Sequence, residues 1–100
     1  MRKSFKKEQI TLLIRESIEL YLTQNLEIYG FSRVVDVNMA EDLKTAYIYI
    51  ACPVEKQIEK LENRITQENR KIVEIFKERF ESKFIPKLKY IFIKEEDVKF

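Results

Sequence analysis

The chain has 100 residues, of which 45% are hydrophobic, enough for one domain with a single core and too few for a second. Lys and Arg total 19 against 17 Asp and Glu, a net charge of +2, so only the distribution of charge can argue for nucleic acid. The absence of histidine excludes His-dependent nucleophilic catalysis and His-ligated metal centres, and the lone Cys52 excludes an internal disulfide.

Residues 1–7 carry Arg2, Lys3, Lys6 and Lys7 without an acid, which reads as a short basic arm. Ile10, Leu13, Ile14, Ile18, Tyr21 and Leu22 then recur at spacings of three and four, the stripe of an amphipathic helix. Ser4 or Lys6 could open it, and it should fade by Asn25. Gly30, the only glycine, stands where a positive φ would turn the chain into the first strand.

Phe31 to Met39 reads as that strand, with Val35, Val37 and Met39 on one face and Val34, Asp36 and Asn38 on the other. Ala46, Ile48 and Ile50 alternate with Thr45, Tyr47 and Tyr49 in a second strand, and the short polar link predicts an antiparallel hairpin. Cys52 ends this apolar run and is expected to be a buried thiol. Pro53 is placed to open a helix. Val54, Ile58, Leu61 and Ile65 follow, then Ile72, Ile75, Phe76 and Phe80. A single helix of this length would overrun a small sheet, so two helices bending within Thr66 to Lys71 are expected. Pro86 closes the helical region, Leu88, Tyr90 and Phe92 mark a third strand, and residues 94–100 form a charged, mobile tail.

The fold class is therefore α+β, a single domain over residues 1–100 in the order α-β-β-α-α-β. One three-stranded sheet would carry all helices on one face and bury the Val35/Val37, Ile48/Ile50 and Leu88/Tyr90 faces. The third strand is expected to join beside the first. This order is that of a type II KH domain, an RNA-binding module.

No catalytic constellation is present. Acidic pairs such as Glu55 with Glu59 read as solvated partners of neighbouring lysines, and one glycine cannot build a phosphate loop. The basic residues are polarised along the chain. Arg64, Arg70, Lys71, Lys77, Arg79 and Lys83 cluster around the bend and the second of the two helices, with Lys87 and Lys89 on the last strand, whereas Glu8 to Gly30 holds four acids against Arg15 alone. Such clusters supply phosphate contacts, although a solvated surface is the plainer explanation for lysine richness. On the open face of the sheet, Tyr47 and Tyr49 lie among Lys87, Lys89 and Ile91. Aromatics there can stack bases or stiffen the hairpin, and the stiffening role is the expected one.

The stretch Val37 to Ala51, VNMAEDLKTAYIYIA, resembles the ribosome-binding factor A family, in which a strand leads into an Asp-Leu turn, a small residue and an alternating strand. Asp42, Leu43, Ala46, Ile48 and Ile50 occupy those positions. Lys83-Phe84-Ile85-Pro86-Lys87-Leu88-Lys89-Tyr90 resembles the family's basic and aromatic helix end followed by a Pro-x-Leu-x-aromatic strand. Ile14-Arg15-Glu16 resembles its opening helix, with Ser17 in place of the usual leucine. The likeness runs from Gln9 to Phe92. The family has an Ala-x-Gly kink between its central helices. Its place here is Glu68-Asn69-Arg70, where neither small residue is present, and Asn69 is expected to take up the kink through left-handed geometry. The acid that commonly follows the last strand is also missing, with Ile93-Lys94 near its place.

The resemblance implies a monomeric factor that binds 16S rRNA and the immature 30S ribosomal subunit. It would assist late maturation, including that of the rRNA 5′ end, support growth in the cold, and have no catalytic activity. On this reading Arg64, Asn69, Arg70 and Lys71 contact RNA at the bend, Lys83, Lys87 and Lys89 form a second group, and Arg2, Lys3, Lys6 and Lys7 act as an electrostatic arm. No cofactor or metal is expected. No apolar run approaches the ~20 residues of a membrane span, and the N-terminus lacks a signal peptide's apolar core, so a cytoplasmic protein is expected. The alternative is a protein–protein module, a homodimer through a sheet edge or the open face, without RNA binding. An acylphosphatase-like enzyme would need β-α-β-β-α-β order, whereas this chain opens with a helix.

Overall fold

The computed structural model describes residues 2–79 and 85–98, the side chains of 2–6 and 79 excepted. Helix α1 (Arg2–Gln24) buries Ile10, Ile14, Ile18, Tyr21 and Leu22, the stripe its spacing predicts. The helix ends where the Asn25 side chain donates to the Tyr21 carbonyl at 2.8 Å. One further turn, α2 (Leu26–Tyr29), was not foreseen from the sequence. Gly30 then adopts φ 58° and ψ −133°, a region open essentially to glycine, and redirects the chain into the sheet.

Strands β1 (Arg33–Met39) and β2 (Thr45–Cys52) form the expected antiparallel hairpin. Its turn is closed by Ala40 N–H to the Thr45 carbonyl at 2.9 Å and by Lys44 N–H to Asp42 Oδ1 at 2.9 Å, with Leu43 at φ 62°. Val35 was assigned to the buried face, but a bulge between Val34 and Asp36 shifts the register there. Val34, opposite Ile50, faces the core with Val37 and Met39, while Val35 is only half-buried. The extra residue reverses the alternation on one side of the bulge, a change that period-two reading cannot detect.

After Cys52 the chain does not enter a helix at Pro53, as the sequence suggested. A 3-10 turn at Glu55–Gln57 intervenes before α3 (Ile58–Gln67). Helix α4 (Asn69–Arg79) follows after a single residue, so the expected pair of helices is present. Strand β3 (Lys87–Lys94) runs parallel to β2, from Thr45↔Lys87 to Cys52↔Lys94. It lies beside β2, not beside β1 as anticipated, in the order β1-β2-β3. The central place falls to the strand whose inward residues Ala46, Ile48 and Ile50 are all 0% exposed. The two intervening helices supply the crossover that a parallel neighbour requires.

The outer edges of the sheet are engaged by helices. The Phe92 N–H donates to Glu62 of α3 at 3.1 Å, and Arg15 of α1 reaches the Val34 carbonyl at 3.4 Å. Helices α1, α3 and α4 cover one face, above Val34, Val37, Met39, Ile48, Ile50, Leu88, Tyr90 and Phe92. The start of the tail expected to be mobile is tied to the body at Lys94 and Glu95. Arg33 pairs with Glu95 at 2.5 Å, and Lys94 with Glu55 at 2.9 Å, so Glu55 is matched to the last strand rather than to neighbouring lysines. Cys52 is buried, its thiol donating to the Val54 carbonyl at 3.2 Å.

Candidate nucleic-acid interface

Helices α3 and α4 are separated by Glu68 alone, at φ −91° and ψ 7°. The hydrogen-bond ladder nearly survives. Glu68 N–H donates to the Arg64 carbonyl at 3.0 Å, and the Glu68 carbonyl accepts from Lys71 N–H at 2.9 Å. Its side chain is turned inward, only 11% exposed, and is clamped by three donors. The hydroxyls of Tyr21 and Tyr29 both donate to Oε1, that of Tyr29 at 2.7 Å, and Arg64 Nε donates to Oε2 at 2.8 Å. The two tyrosine rings stand 6.0 Å apart, tilted by 56°. One residue further on, the Tyr90 hydroxyl of β3 donates to Asn69 Oδ1 at 2.5 Å.

Four elements thus converge on one bend: α1 through Tyr21, α2 through Tyr29, β3 through Tyr90, and α3 through Arg64. The kink lies where the sequence placed it, but Asn69 does not form it. Among the described non-glycine residues only Leu43 has a positive φ, so the left-handed Asn69 is replaced by a right-handed break at Glu68. A clamped carboxylate does here what small residues would do by conformational freedom.

Electrostatics favour the ionised clamp. Burial alone would raise the Glu68 carboxyl, but hydrogen bonds from Tyr21, Arg64 and Tyr29 more than offset it and hold the group at about 2. Burial, and then the Glu68 hydrogen bond and charge, push Tyr21 and Tyr29 above the ordinary phenol range. Burial raises Tyr90 as well.

Around this bend the predicted cations are placed unequally. Arg64 is committed to Glu68 on one side, though its side chain is 48% exposed. Arg70 and Lys71 are exposed at the start of α4. Asn69 is half-buried; with Oδ1 taken by Tyr90, its amide N–H group is left as donor. Sequence reading overlooked an adjoining open groove of about 470 Å³, where Gln57, Lys60, Asn63, Arg64 and Gln67 face Glu27 and Ile28. Lys60 and Arg64 are one helical turn apart, as are Asn63 and Gln67, and that spacing was the available signal.

The remaining candidates do not join this cluster. Lys87 and Lys89 alternate with buried Leu88 and Tyr90, so they emerge on the face of the sheet opposite the helices. Lys83 lies outside the described residues. The basic segment from Arg2 is continuous with α1, and Lys7 is half-buried and lines an open pocket between α1 and β1. The side chains of Arg2, Lys3 and Lys6 lie outside the described residues. Among the described residues no helix is long and apolar enough to cross a membrane, and no cluster of acids and cysteine is arranged to hold a metal.

No protein-family model matches the sequence, and no curated protein matches it. Among solved structures, the chain is similar to ribosome-binding factor A from Thermus thermophilus, with a TM-score of 0.70 over 85% of this chain and 93% of that one. This chain has the fold of ribosome-binding factor A. The α+β architecture with a mixed three-stranded sheet is therefore shared almost end to end with that protein. At 17% identity the ribosome-binding factor A likeness is one of backbone arrangement, and the roles of individual side chains rest on the geometry above.

Proposed function

We propose that this protein is a member of the ribosome-binding factor A family, a non-catalytic assembly factor that binds 16S rRNA in the immature 30S subunit. It would assist late maturation, including processing of the rRNA 5′ end, as a cytoplasmic monomer, with a role in growth in the cold. The observation that carries this reading is the fold likeness over nearly the whole length of both chains. The Val37–Ala51 and Lys83–Tyr90 resemblances support it independently of the backbone.

The bend is the proposed contact. Arg70 and Lys71 present exposed cations beside the half-buried Asn69 amide, on a backbone held rigid by the Glu68 clamp. Cations on a preorganised turn give phosphate contacts that position the protein without reading sequence. Lys60 and Arg64 extend the same basic surface along α3. Lys87 and Lys89 belong to a separate surface. Arg2, Lys3, Lys6 and Lys7 add long-range attraction at the start of α1.

The test is co-sedimentation with immature and mature small subunits at two salt concentrations. Enrichment on immature particles, weakening with salt, is expected, and Arg70→Glu with Lys71→Glu should weaken it and flatten its salt dependence. No enrichment with either particle removes the assembly-factor reading. A double variant that sediments like wild type removes the bend as the site. Pairing through the β3 edge is disfavoured as a dimer mode because Glu62 already occupies the Phe92 N–H there.

A further inference from the structure

The face of the sheet turned away from the helices carries a second constellation. Tyr47 and Tyr49 project from β2, the central strand, on the same side and two residues apart. That spacing separates their attachment points by about 6.6 Å along the strand, roughly the span of one unstacked nucleotide. Each tyrosine has a β3 neighbour: Lys89 opposite Tyr47 and Ile91 opposite Tyr49, with Lys87 one pair earlier opposite Thr45. The Lys89 ammonium lies 5.9 Å from the centroid of the Tyr47 ring. Lys87 and Lys89 are exposed, and neither makes an ion pair among the described residues.

The rest of the face gives the arrangement a direction. On the β1 side, Asn38 stands opposite Tyr47 and Asp36 opposite Tyr49, so negative charge and polar groups lie away from β3. At the far end of the sheet the Arg33–Glu95 and Lys94–Glu55 pairs neutralise their own charges. What remains is a strip with aromatic rings in the middle, uncompensated cations along β3 and an acid on the opposite edge. The cross-strand partners are Asn38 and Lys89 for Tyr47 and Asp36 and Ile91 for Tyr49, so only the Tyr49–Ile91 pair is of a kind that stiffens a sheet, and Tyr47 has no such partner.

We propose that this face is a binding platform for single-stranded RNA, distinct from the bend. Bases stack on Tyr47 and Tyr49, and the phosphates run over β3 against Lys87 and Lys89. It rests on the RNA-binding reading above but not on the bend being its site. Unpaired bases suit the site because a flat ring pair offers π-faces without base-edge discrimination.

The experiment uses a dye-labelled octanucleotide of single-stranded RNA and a labelled RNA hairpin, each followed by fluorescence anisotropy. The ring protons of Tyr47 and Tyr49 are followed by NMR with the unlabelled octanucleotide. Tyr47→Leu with Tyr49→Leu should weaken the octanucleotide roughly tenfold or more, as expected for loss of one or two stacked bases. It should leave the hairpin unchanged, and in the wild type both rings should shift upfield. Should the leucine pair fail to fold, Lys87→Gln with Lys89→Gln decides: the logarithmic salt slope for the octanucleotide should flatten by about 1.4. Arg70→Glu with Lys71→Glu should retain the octanucleotide. The platform is overturned if the wild type does not bind the octanucleotide, if the tyrosine pair can be replaced without loss, or if light scattering shows a dimer that Tyr47→Leu dissolves. Retained hairpin or subunit binding in those cases leaves the proposed function standing; loss of every RNA removes both.

Discussion

Replacing Glu68 with alanine tests whether the clamp holds the bend. The variant removes the shared acceptor of two phenols whose residues are only 4% and 1% exposed, Tyr21 and Tyr29. An orphaned buried donor costs about 1–3 kcal/mol, so two cost about 2–6 kcal/mol. The truncation opens space for water, which favours the lower end, about 2–3 kcal/mol. The exposed Arg64 pair is left out of this sum. Against a total stability of about 5–15 kcal/mol the loss is large. In a domain of this size it lowers the melting temperature by roughly 8–24 °C. Thermal unfolding followed by circular dichroism at pH 7 measures it. The same reasoning fixes the sign of a rescue. Removing the hydroxyls as well, with Tyr21→Phe and Tyr29→Phe in the Glu68→Ala background, should recover stability because no donor is then left unpaired. A Glu68→Ala protein melting within about 3 °C of wild type, or a triple variant no better than the single one, refutes the clamp.

The depressed Glu68 carboxyl makes stability depend on acid. Its folded value of about 2 lies below the ordinary 4.5, so its contribution is complete above pH 4.5 and is lost as pH falls towards 2. Glu68→Gln should therefore flatten the acid limb of a urea-midpoint profile, and an unchanged limb contradicts this assignment. Tyr21, Tyr29 and Tyr90 are raised, so their contribution is complete below pH 10 and is lost as pH climbs beyond it. Ultraviolet difference titration should show these three phenolates appearing late, together with unfolding. Gly30→Ala should cost about 1–3 kcal/mol in backbone strain alone. An added Cβ meets nothing within 4 Å, so a shifted urea midpoint at constant slope is the expected signature.

Much of the architecture was legible because it is written in local spacing. The Ile10–Ile14–Ile18 stripe, the alternation through Ala46, Ile48 and Ile50, and the isolated Gly30 each specify a conformation within one turn or one pleat, and the structure has them. The position of the bend was legible for the same reason, as was the likeness to ribosome-binding factor A, which rests on short ordered blocks. Three features were decided by tertiary contacts instead. Strand order depends on which faces bury the most apolar surface, so β3 pairs with β2. The Val35 bulge depends on register across the hairpin, and no single strand reports its partner's phase. The Glu68 clamp joins residues 47 and 39 positions apart, so Tyr21 and Tyr29 read simply as core until the fold brings their hydroxyls to one carboxylate. The candidate site shows the same division. Composition named the cations, but only the sheet, by turning alternate residues to opposite sides, separated Lys87 and Lys89 from Arg70 and Lys71.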